Sequence, residues 1–291
     1  MKWPAMGYAR VESLDELWRA LDAAGPEAQI LAGGQSLLAT LAFRLSAPST
    51  LIDITRIAAL KGVSVAGDVL RIGALTRHAD LARDALVARH APMLAKAAPL
   101  IAHPAIRNRG TIGGSLALAD PAAELPACAV ALGATVVLAA PTGERRVAAS
   151  DFFQGLFTAA LEPGEIITAV EVPVATASSR QTIVEVTRRS GDYAMAGLAA
   201  ALEMDGAGIV TSARLVFFGI GSGAEVARGA SATLTGKALS AETIAAAQAA
   251  LDGDLDPPTD LHGGPEMKRH LARVLTRRAL TAFLVPSEQA A

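Results

Sequence analysis

Residues 105–121 read AIRNRGTIGGSLALADP, and this stretch decides how the fold of the chain is interpreted. Two adjacent glycines, Gly113 and Gly114, stand between the hydroxyl residues Thr111 and Ser115. Adjacent glycines allow the backbone to come close to an anion, and hydroxyl groups can donate hydrogen bonds to phosphate oxygens. The stretch therefore favours a loop that holds a phosphate-bearing cofactor, and a bare tight turn is the alternative.

A similar pattern, AGGQS, occurs upstream at residues 32–36. It lies between an apolar strand pattern, AQILA, and an apolar helix pattern, LLATLAFRL, where backbone N–H groups and the helix dipole attract anions. We call residues 32–36 the first glycine loop and residues 111–115 the second glycine loop, and we expect each glycine pair to follow a strand with the same geometry. Neither loop has the Lys-Ser or Lys-Thr sequel of a phosphate-transferring loop. Together they predict a diphosphate that is bound and not broken.

A third glycine-rich segment, GIGSGA at residues 219–224, fits the G-x-G-x-x-A pattern of a dinucleotide-binding turn. Glu242 follows about 20 residues later, where that pattern expects an acidic residue. The intervening sequence AEVARGASATLTG is a poor amphipathic helix, however, and no parallel strand is predicted before Glu242. The segment favours a glycine-rich turn at a sheet edge, and a nicotinamide-binding Rossmann unit is the less favoured alternative.

In the amino-terminal part of the chain, AQILA, the first glycine loop, LLATLAFRL and TLIDI together predict a compact strand–loop–helix–strand unit. Alternating apolar residues on both sides of short turns predict hairpins at residues 61–75 and 134–149. Residues 76–99 are predicted to be helical, with Thr76 as the N-cap. The run PAAELPACAVALG is predicted to be a helix that Gly133 ends.

The polar stretch TASS at residues 176–179 is the predicted domain boundary. Beyond it, QTIVEVT, AGLAAALEM and IVTSARLVFFGI are long apolar or alternating segments joined by short turns, and they predict an antiparallel sheet. Helical patterns around residues 240–251 and 265–284 close the chain.

Composition narrows the possible functions. The chain has 291 residues and a formal net charge of −2, so neither a nucleic acid nor an anionic membrane surface is expected as a partner. Its longest apolar stretch, residues 127–140, is shorter than the roughly 20 residues of a membrane span, so an integral membrane protein is not expected. The N-terminus has no apolar segment typical of a signal peptide, and we therefore expect a cytoplasmic location.

Metal-binding residues are scarce in the sequence. The chain has one cysteine, Cys128, and a single thiol cannot hold an iron–sulfur cluster, which takes about four. Its five histidines include no pair at zinc-binding spacing. We therefore expect no metal ligand in this chain, and we identify no residue as an acid–base catalyst.

Five segments together resemble a known family: LAGGQSLLATLAFRLSAPSTLIDITRI, IGALTRHADL, IAHPAIRNRGTIGGSLALADPAAELPACAVALGA, TRRSGDYAMAG and MKRHLARVLTRRAL. They resemble the FAD-binding medium subunits of molybdenum hydroxylases, a family that includes the medium subunit of carbon monoxide dehydrogenase and the flavin module of xanthine dehydrogenase. The resemblance runs essentially from end to end, and the order and spacing of the two glycine loops are specific to it.

The resemblance implies an α+β architecture. It consists of two flavin-binding subdomains of the vanillyl-alcohol oxidase type, followed by a C-terminal antiparallel sheet with helices. On this sequence the FAD-binding domain would span residues 1–177, with subdomains near 1–56 and 57–177, and the C-terminal α+β domain would span residues 178–291.

The resemblance also implies which residues bind FAD. The cofactor-binding residues of the two loops would be Ala32, Gly33, Gly34, Gln35, Ser36, Leu37, Thr111, Ile112, Gly113, Gly114 and Ser115. Outside the loops, Ile101 would lie beside the flavin, Glu124 would hydrogen-bond the cofactor, Leu161 would contact it through its backbone, and Tyr193 would lie over the isoalloxazine ring.

The residue at position 185 and the way FAD is attached are two further features on which the sequence gives an expectation. Some relatives carry Lys where this chain has Glu185, so the tuning of a reduced, anionic flavin is expected to differ. No His or Cys stands where covalent attachment would be argued, so the FAD is expected to be held non-covalently.

The function implied by the resemblance is electron transfer within a larger enzyme. In such a complex, a large subunit holds the molybdopterin cofactor and a small subunit holds two [2Fe-2S] clusters, which deliver electrons to FAD. A dimer of heterotrimers is the expected assembly. The large subunit would select the substrate, and NAD, quinone, cytochrome or oxygen could each be the final acceptor. A stand-alone FAD-dependent oxidoreductase and, less favoured, a nicotinamide-dependent reductase are the alternatives.

Overall fold

The computed structural model of the chain describes residues 3–284, so the ends of the two predicted domains, residues 1–2 and 285–291, lie outside the described residues. The strands are β1 (Gly7–Arg10), β2 (Ala28–Leu31), β3 (Thr50–Asp53), β4 (Val63–Ala66), β5 (Val69–Gly73), β6 (Thr135–Ala140), β7 (Gly143–Ala148), β8 (Phe153–Gly155), β9 (Thr158–Ala159), β10 (Ile166–Pro173), β11 (Ser179–Val186), β12 (Ala196–Met204), β13 (Val210–Phe218) and β14 (Glu225–Val226). The helices are α1 (Leu14–Ala24), α2 (Leu37–Ala42), α3 (His78–Leu81), α4 (Ala85–His90), α5 (Pro92–Ala97), α6 (Pro104–Arg107), α7 (Ile112–Leu118), α8 (Glu124–Ala131), α9 (Ala149–Phe152), α10 (Arg228–Leu234), α11 (Ala241–Asp254) and α12 (Pro265–Leu284).

The strands form one parallel sheet and several antiparallel sheets. The parallel sheet has the order β1-β3-β2, and it is followed along the chain by an antiparallel sheet of order β4-β5-β10-β6-β7. A short ribbon pairs β8 with β9, and the last sheet is antiparallel with the order β11-β12-β13-β14. The α+β class, both predicted hairpins and the C-terminal antiparallel sheet with helices are therefore confirmed.

Residues 76–99 are largely helical, as their sequence pattern predicted, but the helical residues are divided among α3, α4 and α5. Thr76 is not an N-cap, because its hydroxyl donates to the Gly62 carbonyl oxygen at 3.2 Å. Asp84 starts α4 by accepting two backbone N–H hydrogen bonds from its first turn. Pro92 then starts α5, since proline cannot donate the backbone hydrogen bond that would continue a preceding helix. Local caps and breaks thus prevail over the apolar pattern.

The glycine-rich segment at residues 219–224 is a turn. It joins β13 to β14, which runs antiparallel to β13, so the Rossmann alternative, which requires a parallel crossover, is wrong. The sequence after it forms α10, although its pattern predicted a poor helix. The reason is remote in sequence: the Asp254 carboxylate accepts from the backbone N–H groups of Gly229 and Ala230, at 2.8 and 2.7 Å, and so caps α10.

The last sheet is buried on both faces. Leu198 and Leu202 of β12 point to one face, where they pack with α10, α11 and α12. Ala199 points to the other face and joins Val216 and Phe218 in a core shared with α5, α8 and β6. A sheet covered on both sides has apolar residues at nearly every position, which explains the continuous apolar runs. The C-terminal sheet is therefore joined to the preceding part of the chain by a shared apolar core.

This shared core makes Gly197 sensitive to substitution. Gly197 pairs with Phe218 across β12 and β13, and a Cβ at Gly197 would overlap the buried Phe218 ring. We expect Gly197→Ala to lower the free energy of unfolding by about 1–3 kcal/mol, as overpacking in a core does. Urea unfolding followed by circular dichroism measures the loss. Gly253→Ala in α11 is the matched control, because its Cβ would meet no atom within 4 Å, and an equal loss in both variants would contradict the packing argument.

Candidate functional site

The two glycine loops lie together, although nearly eighty positions separate them in the sequence. The first loop leads from β2 into α2, and the second begins after α6, at Thr111, and continues into the first turn of α7. A Cβ at Gly33 would lie 2.8 Å from the Cα of Gly110 and would also overlap the Arg109 carbonyl oxygen. Only glycine at position 33 permits this approach. The two loops are therefore neighbours, and we call the surface bordered by their exposed residues Ser36 and Gly114 the opening.

The first glycine loop presents unused backbone donors. Within the described residues, no acceptor pairs with the backbone N–H groups of residues 33–37. Gly34 has a φ of +73°, a conformation that favours glycine, and the Gln35 side chain supports the turn by donating to the Gly33 carbonyl oxygen at 3.0 Å. Ser36 is exposed and its hydroxyl makes no capping hydrogen bond to α2. Consecutive free N–H groups of this kind suit an anion.

The second glycine loop has a different geometry, so the expectation of a common geometry after a strand is wrong. It follows α6, and both of its glycines lie in the first turn of α7. Its N–H groups are already used: Ile112 donates to Thr76, Gly113 donates to Ala74, and Gly114 donates to the Thr111 hydroxyl at 3.1 Å.

What the second glycine loop offers a ligand is hydroxyl groups. The Thr111 hydroxyl accepts the capping hydrogen bond from Gly114 and keeps its own proton free to donate. Ser115, which follows Gly114 in α7, is partly exposed. Gly114 itself is exposed, and a Cβ there would meet only the Thr111 hydroxyl oxygen, at 3.0 Å. The backbone of α7 therefore comes to the surface of the opening without a side chain in the way.

Ile101 and Leu161 lie on two other segments of the chain. Ile101 packs at the edge of the core that contains α7 and α8, and Leu161 packs there from the segment after β9. Arg107 donates to the carbonyl oxygens of Ile101 and Ala102 at 2.8 and 2.7 Å, and these two hydrogen bonds fix the backbone of that segment. Gly191, two residues before Tyr193, packs closely on Ala102. A Cβ on Gly191 would lie 2.7 Å from the Ala102 carbonyl oxygen.

Three carboxyl groups and Tyr193 gather beyond the C-terminal end of α7. Asp120 lies between α7 and α8, Glu124 begins α8, and Glu185 lies on β11. The Tyr193 hydroxyl lies beside the Asp120 carboxyl, although the Tyr193 side chain as a whole is 62% exposed. We call Asp120, Glu124 and Glu185 the carboxyl cluster.

Burial dominates the titration of the carboxyl cluster. It raises the pKa of Glu124 to about 8, and the nearby Glu185 and Asp120 carboxylates add to that shift. Burial also raises the pKa of Glu185 to about 7, and the Oε2 atom of Glu185 has no hydrogen-bond partner among the described residues. These groups therefore hold protons near neutral pH, where an ordinary glutamate is ionised.

Three residues near this region were not identified from the sequence: Asp120, Phe157 and Lys268. All three line a cavity of about 340 Å³ together with Tyr193. The sequence does contain a signal for Lys268. It stands at helical spacing with Ala272 and Leu275, which are buried, so the pattern places a lysine on the apolar face of α12. Nothing in the local sequence marks Phe157, which has a φ of +50° at the tip of the β8–β9 ribbon.

The raised pKa of Glu124 predicts how the stability of the cofactor-free chain depends on pH. The folded chain keeps the Glu124 proton up to about pH 8, whereas the unfolded chain loses it near the ordinary value of 4.5. Stability from this group is therefore complete at low pH and is lost as pH rises toward 8. Glutamine mimics the protonated form, so Glu124→Gln should be more stable than the parent chain at pH 8, by on the order of a few kcal/mol, and similar to it at pH 5.

The measurement is urea unfolding of both chains at the two pH values. Glu242→Gln, an exposed substitution in the first turn of α11, is the control. A stability difference for Glu124→Gln that is the same at both pH values would contradict the shift.

Comparison with known families gives matches over nearly the whole chain. A family profile described as the FAD-binding domain in molybdopterin dehydrogenase matches residues 4–175, and one described as the CO dehydrogenase flavoprotein C-terminal domain matches residues 181–283. The chain is 40% identical over 284 residues to the 6-hydroxypseudooxynicotine dehydrogenase complex subunit alpha of Paenarthrobacter nicotinovorans, covering 98% of this chain and 96% of that protein. It is 36% identical over 279 residues to the carbon monoxide dehydrogenase medium chain of Hydrogenophaga pseudoflava, covering 96% and 97%.

Solved structures agree with these matches. A chain of carbon monoxide dehydrogenase from Hydrogenophaga pseudoflava, in a form that lacks the Mo-pyranopterin moiety of the molybdenum cofactor, superposes with a TM-score of 0.93 at 38% identity, covering 97% of this chain and 98% of that chain. A chain of quinoline 2-oxidoreductase from Pseudomonas putida 86 superposes with a TM-score of 0.91 at 39% identity, with the same coverage of 97% and 98%. Separately, no helix within residues 3–284 combines the length and the hydropathy that crossing a bilayer requires.

Proposed function

The chain belongs to the FAD-binding medium subunits of molybdenum hydroxylase-type dehydrogenases, and we propose that it is the electron-transfer flavoprotein of a three-subunit complex of this kind. Membership confirms the resemblance and the FAD-binding fold class expected from the sequence, and it makes the chain a component of an oxidoreductase. FAD is the cofactor of this chain, and the molybdenum and iron–sulfur cofactors of such complexes belong to partner subunits.

The contact between the two glycine loops is the observation that carries the proposal. It brings the free N–H groups of residues 33–37 and the hydroxyl groups of Thr111 and Ser115 to one opening. These donors are neutral, and none belongs to a lysine or arginine. They suit the diphosphate of a cofactor that is bound and kept, because a transferred phosphate calls for a loop lysine. The residues present therefore fit FAD.

The remaining predicted residues would orient the rest of the cofactor. Bound FAD supplies the redox chemistry, and the protein positions and tunes it. Ile101 and Leu161 would form an apolar side and a backbone contact, Glu124 would hydrogen-bond the cofactor, and Tyr193 would cover the ring. Glu185, which replaces the Lys of some relatives, would not stabilise an anionic reduced flavin. Its buried position beside Glu124 supports a different tuning of the flavin in this chain.

The single thiol supports the division of labour between subunits that membership of this family implies. Cys128 is fully buried in α8, and a [2Fe-2S] cluster needs about four thiolates. In the proposed complex, the electrons would come from two clusters on a small subunit, which receives them from the molybdopterin-binding large subunit. The location near residue 177 of the boundary between the FAD-binding and C-terminal domains, and a dimer of heterotrimers, remain predictions of the same proposal.

Gly114→Val tests the site directly. The Val side chain would project into the opening beside Thr111, where the backbone of α7 is otherwise bare, so we expect FAD affinity to fall by at least about tenfold. FAD fluorescence on titration of the cofactor-free chain measures the affinity. The released flavin should also stay in solution after acid precipitation of the parent protein, as a non-covalent cofactor does.

Gly113→Ala is the structural control for Gly114→Val. A Cβ at Gly113 would lie 2.7 Å from the Ala74 Cβ, so this buried substitution should lower stability without placing any atom in the opening. If Gly114→Val folds normally and retains the affinity of the parent chain for FAD, the second glycine loop is only a turn.

The subunit assignment is tested by turnover. The purified FAD-loaded chain alone should not oxidise any organic substrate that the complete complex oxidises. Mixing it with the iron–sulfur and molybdenum subunits should restore substrate-dependent dye reduction, because electrons reach FAD only through the clusters. Substrate-dependent dye reduction by the lone chain, shown to be free of molybdenum and iron by metal analysis, would instead support the stand-alone FAD-dependent oxidoreductase.

A further inference from the structure

The cavity of about 340 Å³ beside Tyr193 shares only Tyr193 with the residues predicted to bind FAD. It opens between the β8–β9 ribbon and the turn before α12, and its walls include Asp120, Phe157, Tyr193, Pro258, His262 and Lys268. Neither glycine loop lines it, and neither do Ile101, Glu124 or Leu161. We call it the Tyr193 cavity.

Tyr193 is a wall shared by the Tyr193 cavity and the flavin site. The segment that carries it packs on Ala102, next to Ile101, and its hydroxyl lies beside Asp120, just beyond α7. Tyr193 lines the cavity together with Phe157 and Lys268. With Tyr193 over the isoalloxazine ring, as the proposed function has it, a molecule in the cavity would be separated from the flavin by one aromatic side chain, which is a short distance for electron transfer.

The rim of the Tyr193 cavity is apolar and exposed. Phe157, which lines the cavity, is 55% exposed. Two leucines adjacent in sequence to lining residues, Leu156 and Leu261, are exposed as well. Phe157 keeps a φ of +50°, which is strained for an aromatic residue. Exposed apolar residues around a cavity are typical of a binding site for a molecule with an apolar body.

The floor of the Tyr193 cavity provides polar groups. Lys268 is 1% exposed, and its ammonium group donates to the Gly219 carbonyl oxygen at 3.0 Å and forms an ion pair with Asp260. An ammonium group has three N–H donors, so one remains. The Nδ1 atom of His262 has no partner among the described residues. A ligand with ring oxygens could use both groups.

Charge decides between the ligands that could fill the Tyr193 cavity. Asp120 and Asp260 line it against the single cation Lys268, which Asp260 already pairs. Arg188 does not line the cavity, and it donates to the Leu261 carbonyl oxygen at 3.0 Å. No lysine or arginine lining the cavity is left to pair with a phosphate group. The cavity therefore disfavours a nicotinamide dinucleotide and favours an uncharged ring.

We propose that the Tyr193 cavity binds the final electron acceptor, an uncharged planar ring compound of the quinone type, with Phe157 against the ring and Lys268 donating to a ring oxygen. This inference rests on the proposed function, because it requires a reduced flavin on the other side of Tyr193. Reduced flavin, FADH2, gives two electrons and two protons to the quinone, so FAD and the hydroquinone form and no other reactant is needed. Lys268 stabilises the negative charge that builds on the ring oxygen.

Binding is tested with menadione, a small uncharged naphthoquinone, and with NAD+. Equilibrium dialysis against the oxidised, FAD-loaded chain should show menadione binding and no NAD+ binding. Phe157→Ala and Lys268→Met should each weaken menadione binding by about tenfold and leave the affinity for FAD unchanged. Phe43→Ala is the matched control, because Phe43 is an exposed phenylalanine that does not line the cavity. Phe157 is exposed, so its variant should fold even if Lys268→Met does not.

Reoxidation of the reduced chain gives a second readout. Menadione should reoxidise the flavin about tenfold more slowly in Phe157→Ala than in the parent chain, whereas ferricyanide, which needs no cavity, should act equally on both. Binding of NAD+ in place of menadione, or equal menadione affinity in all variants, would overturn the quinone assignment. Loss of FAD affinity in Phe157→Ala would show that the cavity is part of the flavin site. Failure of the parent chain to bind FAD would instead refute the proposed function.

Discussion

The structure depends on a backbone contact that only glycine allows. Gly33 of the first glycine loop packs on Gly110, which directly precedes the second loop, and Gly110 in turn packs on the ring of His78. Burial lowers the pKa of His78 to about 4, so the ring beneath this contact is neutral at physiological pH. Side chains at either glycine would push the parallel sheet away from the five-stranded sheet. The opening between the loops exists because these two parts of the chain approach so closely.

The helix α7 separates two environments that suit opposite ends of a long cofactor. At its start are the free N–H groups of the first glycine loop and the hydroxyl groups of the second. At its other end are Glu124 and Glu185, whose pKa values burial raises to about 8 and about 7. A helix of this length spans about 10 Å. In the proposed FAD site, an anionic diphosphate would therefore be stabilised at one end only, and this asymmetry would favour one orientation of the cofactor.

The doubly covered C-terminal sheet fixes the second half of the site. Its outer face carries the helices that bring Lys268 to Gly219, and its inner face shares a core with α8, which carries Glu124. Movement of this sheet would disturb the carboxyl cluster and the Tyr193 cavity together. Continuous apolar packing on both faces opposes such movement, because interiors are close-packed and resist deformation. The flavin environment is thus built from both parts of the chain.

Much of this protein could be read from local sequence. Turns, hairpins and the terminal helices follow from glycines and apolar periods. The two glycine loops could be recognised because glycine pairs beside hydroxyl residues have a direct physical meaning. The residues of the loops could be named in this way. Which atoms of them are free to bind could not, because that depends on where other segments lie.

The tertiary structure alone decided the rest. In the folded chain, N–H groups of the second glycine loop donate to the carbonyl oxygens of Ala74 and Thr76, whereas those of the first glycine loop remain free. The tertiary structure formed α10 by supplying a cap from Asp254, and it turned Glu124 from an ordinary acid into one with a pKa of about 8. Hydrogen-bond partners and burial come from residues distant in sequence, so a local pattern can specify which groups are present but not whether they are paired, buried or charged.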